Sequence, residues 1–595
     1  MPENIAFESP PDWALNAIWY QIFVERFRKG SDTNNPTPES IKHGALDEVP
    51  ADWCLTHWSH NWYKNDNYAE NLSLDFYRSV QFRRYGGDLI GVLQKINYLK
   101  DLGITAVYFN PLNFAPSLHK YDAAYYHHID VHFGPNPQKD LELIAKEDPS
   151  DPTTWVWTEA DLLFLKVVKE FHTHKIKVIL DFSWNHTGNA FWAFRDLQKN
   201  QKNSKYKNWY ENVAFNNDNT IEGFTYKSWN NITNLPEFNK INKKIDKATG
   251  CLEGNLLSEV KDHIFEVCKR WMDPSGTGDV SLGIDGMRLD VGDHVPMGFW
   301  RELRKFVRNL NPHFFLVGEV WWKEWPDHLL DPRPWLKGDV FDSVMHYHWF
   351  KIARGYFGDS DDNIDLVEYI SKMQNTYYDI NIKNCQVLMN LVASHDSPRL
   401  LTSIQNRNKY KYHCKPAEDK NYLTNIPDPE TYSRAILLVI HQFTFLGTPH
   451  IWNGDEMGML GADDPDNRKP LIWPDIVFES ETASSFSDYQ YVFKPIFNGF
   501  MHTTFKKLIS LRKKYEVLRK GDCLFYTEDI KKSNLLMYTR QYNSSKVVIC
   551  INVSHDTETI PDQFQKGKPL FQYNIFDSFS AEIPPFSAFV KLISL

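Results

Sequence analysis

Residues 283–294, GIDGMRLDVGDH, end an apolar run with an arginine, Arg288, two places before an aspartate, Asp290. Side chains along a strand alternate between its faces, so positions i and i+2 share one. A cation and a carboxylate therefore stand side by side at the mouth of a buried strand. Such a pair is either a structural ion bridge or a carboxylate kept ionised by its neighbour.

The stretches on either side supply a frame. Apolar runs recur at 17–27, 104–112, 176–184, 313–322, 340–347, 386–396 and 448–456, separated by segments with helical spacing. Before the run at 104 lies 86–103, closed by Gly103. Before that at 176 lies 157–175, where Thr158 and Asp161 form a capping-box pattern, and before that at 313 lies 296–312, opened by Pro296. Near-continuous apolar strands alternating with helices predict a parallel sheet, and eight such units a closed (β/α)8 TIM barrel. The polar, Asn- and Lys-rich stretch 187–280 reads as a subdomain inserted after strand 3. From 516 the pattern changes to short strands with turns between them, as in an antiparallel β-sandwich. The expected organisation is a barrel over 1–186 and 281–515, with a Trp-rich insertion at 28–85. An inserted domain covers 187–280 and a C-terminal β-sandwich domain 516–595.

The chain has 595 residues, 42% hydrophobic and 24% charged, with a formal net charge of −10. No basic footprint serves a phosphate backbone, which argues against nucleic acid. No apolar run reaches membrane length. Seven scattered cysteines lack metal or redox spacing and read as free thiols. With no charged and apolar leader at the start, the expected location is the cytoplasm, although a removed signal peptide would leave the same picture. Aromatics reach 15%, many of them in stretches such as 51–70 that do not read as core.

In such a barrel, polar residues at the C-terminal ends of the strands meet at one mouth. Here these are Asp181, Asn185 and His186, then Arg288 and Asp290, then Glu319, then His395 and Asp396. Several carboxylates converge with two histidines and no metal-binding cluster. Paired carboxylates, one protonated and one ionised, are the apparatus of glycoside cleavage.

The stretches 181–188, 283–291, 317–322 and 392–399 resemble, in order, the four signature regions of the α-amylase superfamily of glycoside hydrolases. Residues 117–134 resemble a loop of its neopullulanase and cyclomaltodextrinase members, 235–239 the short extra region of the family's inserted domain, and 454–473 the segment after its eighth strand. The resemblance implies that Asp290 is the nucleophile, Glu319 the general acid/base and Asp396 the third carboxylate. It implies that Arg288 keeps Asp290 ionised, that His186, His395 and Tyr121 hold the sugar being cleaved with help from His119, and that Asp464 and Arg468 hold the next one. Trp321 or Trp322 is left to form a platform on the leaving-group side. The implied reaction is retaining cleavage of α-1,4-glucosidic bonds in maltooligosaccharides, cyclodextrins, pullulan or starch. An α-glucan transglycosylase and a non-catalytic carbohydrate-binding relative are the alternatives. No cofactor is required; calcium is allowed, with Asn185 and the loop 30–36 as its candidate ligands. Neither the resemblance nor the residues set an oligomeric state.

The pattern is not uniform. Asp293 and His294 stand where many members carry a lysine–histidine pair on the leaving side, and Trp452–Asn453 where two tyrosines are usual. With the first strand near residue 17, the N-terminal β-sandwich common in such members is expected to be absent. The insertion at 28–85 is expected in its place, its Trp53, Trp58 and Trp62 either walling the cleft or packing under the barrel rim.

Overall fold

The computed structural model describes residues 7–45, 48–71, 74–215, 223–358, 364–482, 486–488, 490–528, 535–575 and 581–593. Eight parallel strands form one sheet: β1 (Trp19–Ile22), β2 (Ala106–Phe109), β3 (Lys177–Phe182), β4 (Gly286–Leu289), β5 (Phe315–Gly318), β6 (Ser343–Val344), β7 (Met389–Leu391) and β8 (Thr448–Trp452). Neighbours in sequence are neighbours in space, and β8 returns to pair with β1, Trp19 opposite His450. The remaining gap, between β6 and β7, is closed by a single parallel bridge between Met345 and Met389. The expected (β/α)8 barrel is therefore the fold.

Two apolar layers hold it. Inside, Trp19, Ala106, Tyr108, Ile179, Phe315, Val317, Met345, Met389 and Leu391 fill the barrel, with Trp19 stacked on Phe315 at 5.4 Å. Outside, the helices bury their apolar stripes against the strands' other faces. Three of them are α1 (Leu89–Leu102), α2 (Glu159–Thr173) and α3 (Ser258–Met272), and the first two have an identifiable reason to stop or start. Gly103 takes a left-handed φ of 98° to end α1, a conformation that costs glycine little. Thr158 and Asp161 make the reciprocal capping box at the start of α2. Helix α3 lies within 187–280, but its buried face, including Val260, Ile264, Val267 and Trp271, joins the barrel's outer layer. The residues ahead of it carry two small ribbons, Ala214–Phe215 with Phe224–Thr225 and Lys240–Ile245 with Leu252–Leu256.

The C-terminal sheet has five antiparallel strands, β9 (Asp522–Phe525), β10 (Leu535–Tyr542), β11 (Ser545–Asn552), β12 (Lys568–Tyr573) and β13 (Ser587–Ile593), in the order β9-β10-β11-β13-β12. One face carries Leu536, Tyr538, Val547 and Ile549 into the barrel's outer layer. The other is covered by the ribbon Glu558–Thr559/Glu582–Ile583 and a short helix holding Phe564. In the insertion at 28–85 the tryptophans pack. Their indole N–H groups are spent on Phe82 O (Trp53), Leu471 O (Trp58) and Asp466 Oδ1 (Trp62). All three rings are buried, so they support the rim and do not wall the cleft.

Candidate active site

The alternation read from the sequence holds at the top of the barrel. Arg288, in β4, is fully buried, and its Nη1 donates to Asp290 Oδ1 at 2.7 Å and to both oxygens of Asp181 at 3.0 and 3.1 Å. Its Nη2 lies 2.9 Å from Glu319 Oε1, but off the hydrogen-bond axis. One guanidinium thus touches three carboxylates from β3 and from the ends of β4 and β5, and binds the first two with better geometry than the third.

That difference separates the acids. Burial raises the pKa of both Asp290 and Glu319, and Arg288 opposes it in each. Each also feels two neighbouring acids, Asp181 and Asp396 for Asp290 and Asp290 and Asp396 for Glu319; only Asp290 accepts a hydrogen bond from Arg288, so the Glu319 carboxyl stays protonated to higher pH. Burial lifts Asp181 to about 6 against the pull of Arg288. Glu319 Oε2 accepts the backbone N–H of Val291 at 3.0 Å. Val291 sits at φ 40°, where a β-branched residue is strained, and that turn aims its N–H at Glu319.

On the opposite wall Tyr121 gathers the network. Its hydroxyl donates to Asp181 Oδ2 at 2.7 Å, a site shared with the Tyr108 hydroxyl, and accepts from His395 Nε2 at 2.7 Å. Gln21, from β1, donates to His395 Nδ1 at 2.8 Å. With a donor on Nδ1, the ring carries its proton on Nε2. Burial drives the pKa of His395 well below its ordinary value, so the ring is neutral. Asp396 is held by Arg468 Nη2 at 3.0 Å and lies 3.1 Å from His395 Nε2, while Arg468 Nη1 reaches Asp464 at 3.1 Å. His186 is buried and His119 half-buried, and desolvation pushes both down to about 3. His119 Nδ1 accepts from Tyr121 N at 3.2 Å, which fixes the turn that presents Tyr121.

The structure therefore brings together Asp290, Glu319, Asp396, Arg288, His395, Tyr121, His119, His186, Asp464 and Arg468. Trp321 is a correction. Tyr347 stacks on its ring at 3.6 Å and Trp322 at 4.6 Å, and only 5% of the residue is exposed, so it is packed between its neighbours and offers no face to a sugar. The open aromatic surface lies further out, on the half-buried Trp322 and on Trp325, 53% exposed, which meet edge to face at 4.8 Å.

Four participants escape the reading of strand ends. Gln21 had a signal, a buried amide within an apolar run, as did Tyr108 in β2. Trp229, in the inserted stretch, stacks beside His186 at 5.4 Å and donates its indole N–H to His294 at 3.1 Å. Half-buried Lys411 donates to the Asp396 carbonyl and, at 2.7 Å, to Asp463. Nothing local to either sequence position announces these contacts.

The residues near Asn185 do not fit calcium, which needs six to eight oxygens. Asn185 Oδ1 is buried without a hydrogen-bond partner among the described residues. The neighbouring carboxylate, Glu237, bridged to His186 by a backbone pair, is already bound by Lys240 Nζ at 2.5 Å and approached by Lys227 at 3.1 Å. A buried ammonium stands where a cation's charge is wanted. In the loop 30–36, the N–H groups of Gly30 and Ser31 and the amide of Asn34 all donate to Asp88, which spends that carboxylate on the backbone.

A parallel barrel whose mouth gathers Asp181, Asp290, Glu319 and Asp396 around Arg288 and Arg468, with neutral histidines beside them, is the setting of a glycoside hydrolase. Comparison with known proteins is specific: the profile described as "Alpha amylase, catalytic domain" matches residues 21–148 and 158–521. The chain belongs to the α-amylase family. It is 30% identical over 573 residues to a cyclomaltodextrinase of Geobacillus thermopakistaniensis (strain MAS1), covering 96% of this chain and 75% of that protein. It is 31% identical over 551 residues to neopullulanase 2 of Thermoactinomyces vulgaris, covering 92% and 71%. The type III pullulan hydrolase of Thermococcus kodakarensis shares the fold, with a TM-score of 0.70 at 24% identity over 99% of this chain and 84% of that one. No helix among the described residues is long and apolar enough to cross a membrane.

Proposed function

We propose that the protein hydrolyses α-1,4-glucosidic bonds of short or cyclic α-glucans with retention of configuration. The observation that carries this reading is the shared guanidinium. Asp290 and Glu319 lie 2.7 and 2.9 Å from the two terminal nitrogens of Arg288, which keeps the two carboxyl groups close together, as a retaining mechanism needs. Asp290 attacks the anomeric carbon while Glu319 gives its proton to the leaving oxygen, producing a β-glucosyl ester on Asp290. Glu319, now ionised, takes a proton from water, which attacks the same carbon and frees Asp290. Asp396, pinned by Arg468, holds sugar hydroxyls and favours the flattened, cation-like ring. Tyr121 and His395 are preset around that sugar, and no step needs a metal.

Relatives named cyclomaltodextrinase and neopullulanase support cyclodextrins and pullulan as substrates. Free cysteines and a relative described as an intracellular maltogenic amylase support a cytoplasmic location. The test is product analysis on maltoheptaose, β-cyclodextrin, pullulan, starch and sucrose, with Asp290→Asn in parallel. Release of short α-glucosides by wild type alone upholds the reading, and products longer than the substrate favour transfer. Silence of both proteins on every substrate overturns it.

A further inference from the structure

A second cluster of ligating side chains lies outside this network. His127, His128 and Glu147 each offer one ligand atom, and these atoms lie within 4.8 Å of one another. Both imidazoles point Nε2 at Glu147 Oε1, at 2.8 and 3.1 Å. Successive residues of a strand normally face opposite ways. Here the strand Tyr125–Ile129 pairs with Asn113–Phe114 through a shifted register, and both rings reach the same oxygen.

The surroundings fix each ring. His128 Nδ1 lies 2.8 Å from Asp161 Oδ2, and Asp161 is itself anchored by the Ile129 N–H and Arg270. A carboxylate behind an imidazole is the arrangement that orients ligating histidines. His127 lies flat on Trp155, ring centroids 4.0 Å apart. Its Nδ1 is buried without a hydrogen-bond partner among the described residues, and so is Nε2 of His263, whose ring stands 6.2 Å away. Glu147 Oε2 accepts the Val156 N–H at 3.1 Å. Two nitrogens and one carboxylate oxygen suit a borderline first-row cation and are too few oxygens for calcium.

We propose that His127, His128 and Glu147 form a structural site for a divalent transition metal, Zn2+ foremost, which ties the strand Tyr125–Ile129 to the segment 145–157. The cation takes the place of the protons now shared between each Nε2 and Glu147, and the three atoms spread toward the roughly 3.3 Å edges of a tetrahedron with bonds of about 2.0–2.1 Å. Water or His263 completes the set. The neighbouring Tyr126 donates to the carbonyls of Ser183 at 2.7 Å and His186 at 2.5 Å, so the site steadies the loop carrying His186 without touching substrate.

The test uses the full chain, stripped with chelator and titrated with Co2+, followed by Zn2+ competition. One Co2+ per chain is expected, with the visible d–d bands of a four-coordinate nitrogen–oxygen site, displaced by Zn2+ and accompanied by a rise in Tm. His127→Phe keeps a ring on Trp155 and leaves the Asp161–His128–Glu147 contacts intact; Glu147→Gln replaces the anionic carboxylate with a neutral amide, a much weaker ligand. Both should weaken Co2+ binding by roughly tenfold or more, while glucan hydrolysis by the folded variants stays within about twofold. The proposal is overturned if stripped wild type, still folded by circular dichroism, takes up no Co2+. It is equally overturned if the spectrum shows thiolate charge transfer, or if both variants bind as wild type does.

Discussion

The two sides of the cleft are built differently. On the side of Tyr121, each polar group is bound to the next and all but the half-buried Tyr121 are buried: Gln21 to His395, His395 to Tyr121, Tyr121 to Asp181, Asp181 to Arg288. On the side of Trp322 and Trp325 the groups are aromatic, half-buried or exposed, and held mainly by ring contacts. A fixed network defines where charge can sit and when a proton can move. A looser aromatic surface defines which chain can lie there. Substitutions on the first side should therefore change rate and pH dependence, and those on the second should change substrate preference and KM.

The largest effect expected on this division is at Glu319. If Glu319 is the proton donor proposed above, Glu319→Gln removes it and should lower kcat on maltoheptaose by ~10²–10⁴-fold. The loss should shrink for an aryl maltoside whose leaving group needs little protonation. On the proposed mechanism hydrolysis requires Glu319 protonated, and burial raises its pKa. Wild-type kcat/KM should thus persist at pH values where an exposed glutamate is already ionised, falling as pH rises through the elevated value. Glutamine cannot ionise, so the variant should lose that alkaline limb. A wild-type limb at the position of an ordinary glutamate would break the comparison.

A smaller effect belongs to Gln21, and it bears on what could be read from sequence. The placement of Arg288, Asp290, Glu319 and Asp396 together at the barrel mouth was legible because it depends on where strands end, which is local. Gln21 was visible only as an amide inside an apolar run, since its partner His395 lies 374 positions away. Trp229 and Lys411 reach the site from stretches with no period to read. Trp321 was misassigned for the same reason: Tyr347, which covers it, comes from the start of another helix. Gln21→Leu leaves His395 Nδ1 without its donor and frees the tautomer that presents Nε2 to Tyr121. A lost hydrogen bond of about 1–1.5 kcal/mol predicts roughly a tenfold fall in kcat/KM. Gln21→Glu would instead favour the other tautomer or a charged ring, and should be worse than leucine. Equal activity in all three proteins would show that the network does not set the histidine.

The smallest effect, and the sharpest test of the division, is on the aromatic side. Trp321 and Trp322 are adjacent in sequence and stacked on each other, yet only Trp322 keeps surface toward solvent. If the open ring carries leaving-side sugars, Trp322→Ala should raise KM for maltoheptaose a few-fold while leaving KM for maltotriose nearly unchanged. That is the range of a lost ring contact, about 0.5–1.5 kcal/mol. Trp321→Ala should act through stability: it removes a ring packed against Tyr347 and should lower Tm, at a cost of about 3–5 kcal/mol, with no dependence on chain length. Trp325→Ala, on the exposed end, should affect only substrates long enough to reach it. A length-dependent KM in the Trp321 variant, with none in the Trp322 variant, would return the platform to the buried ring and erase the distinction between the two walls.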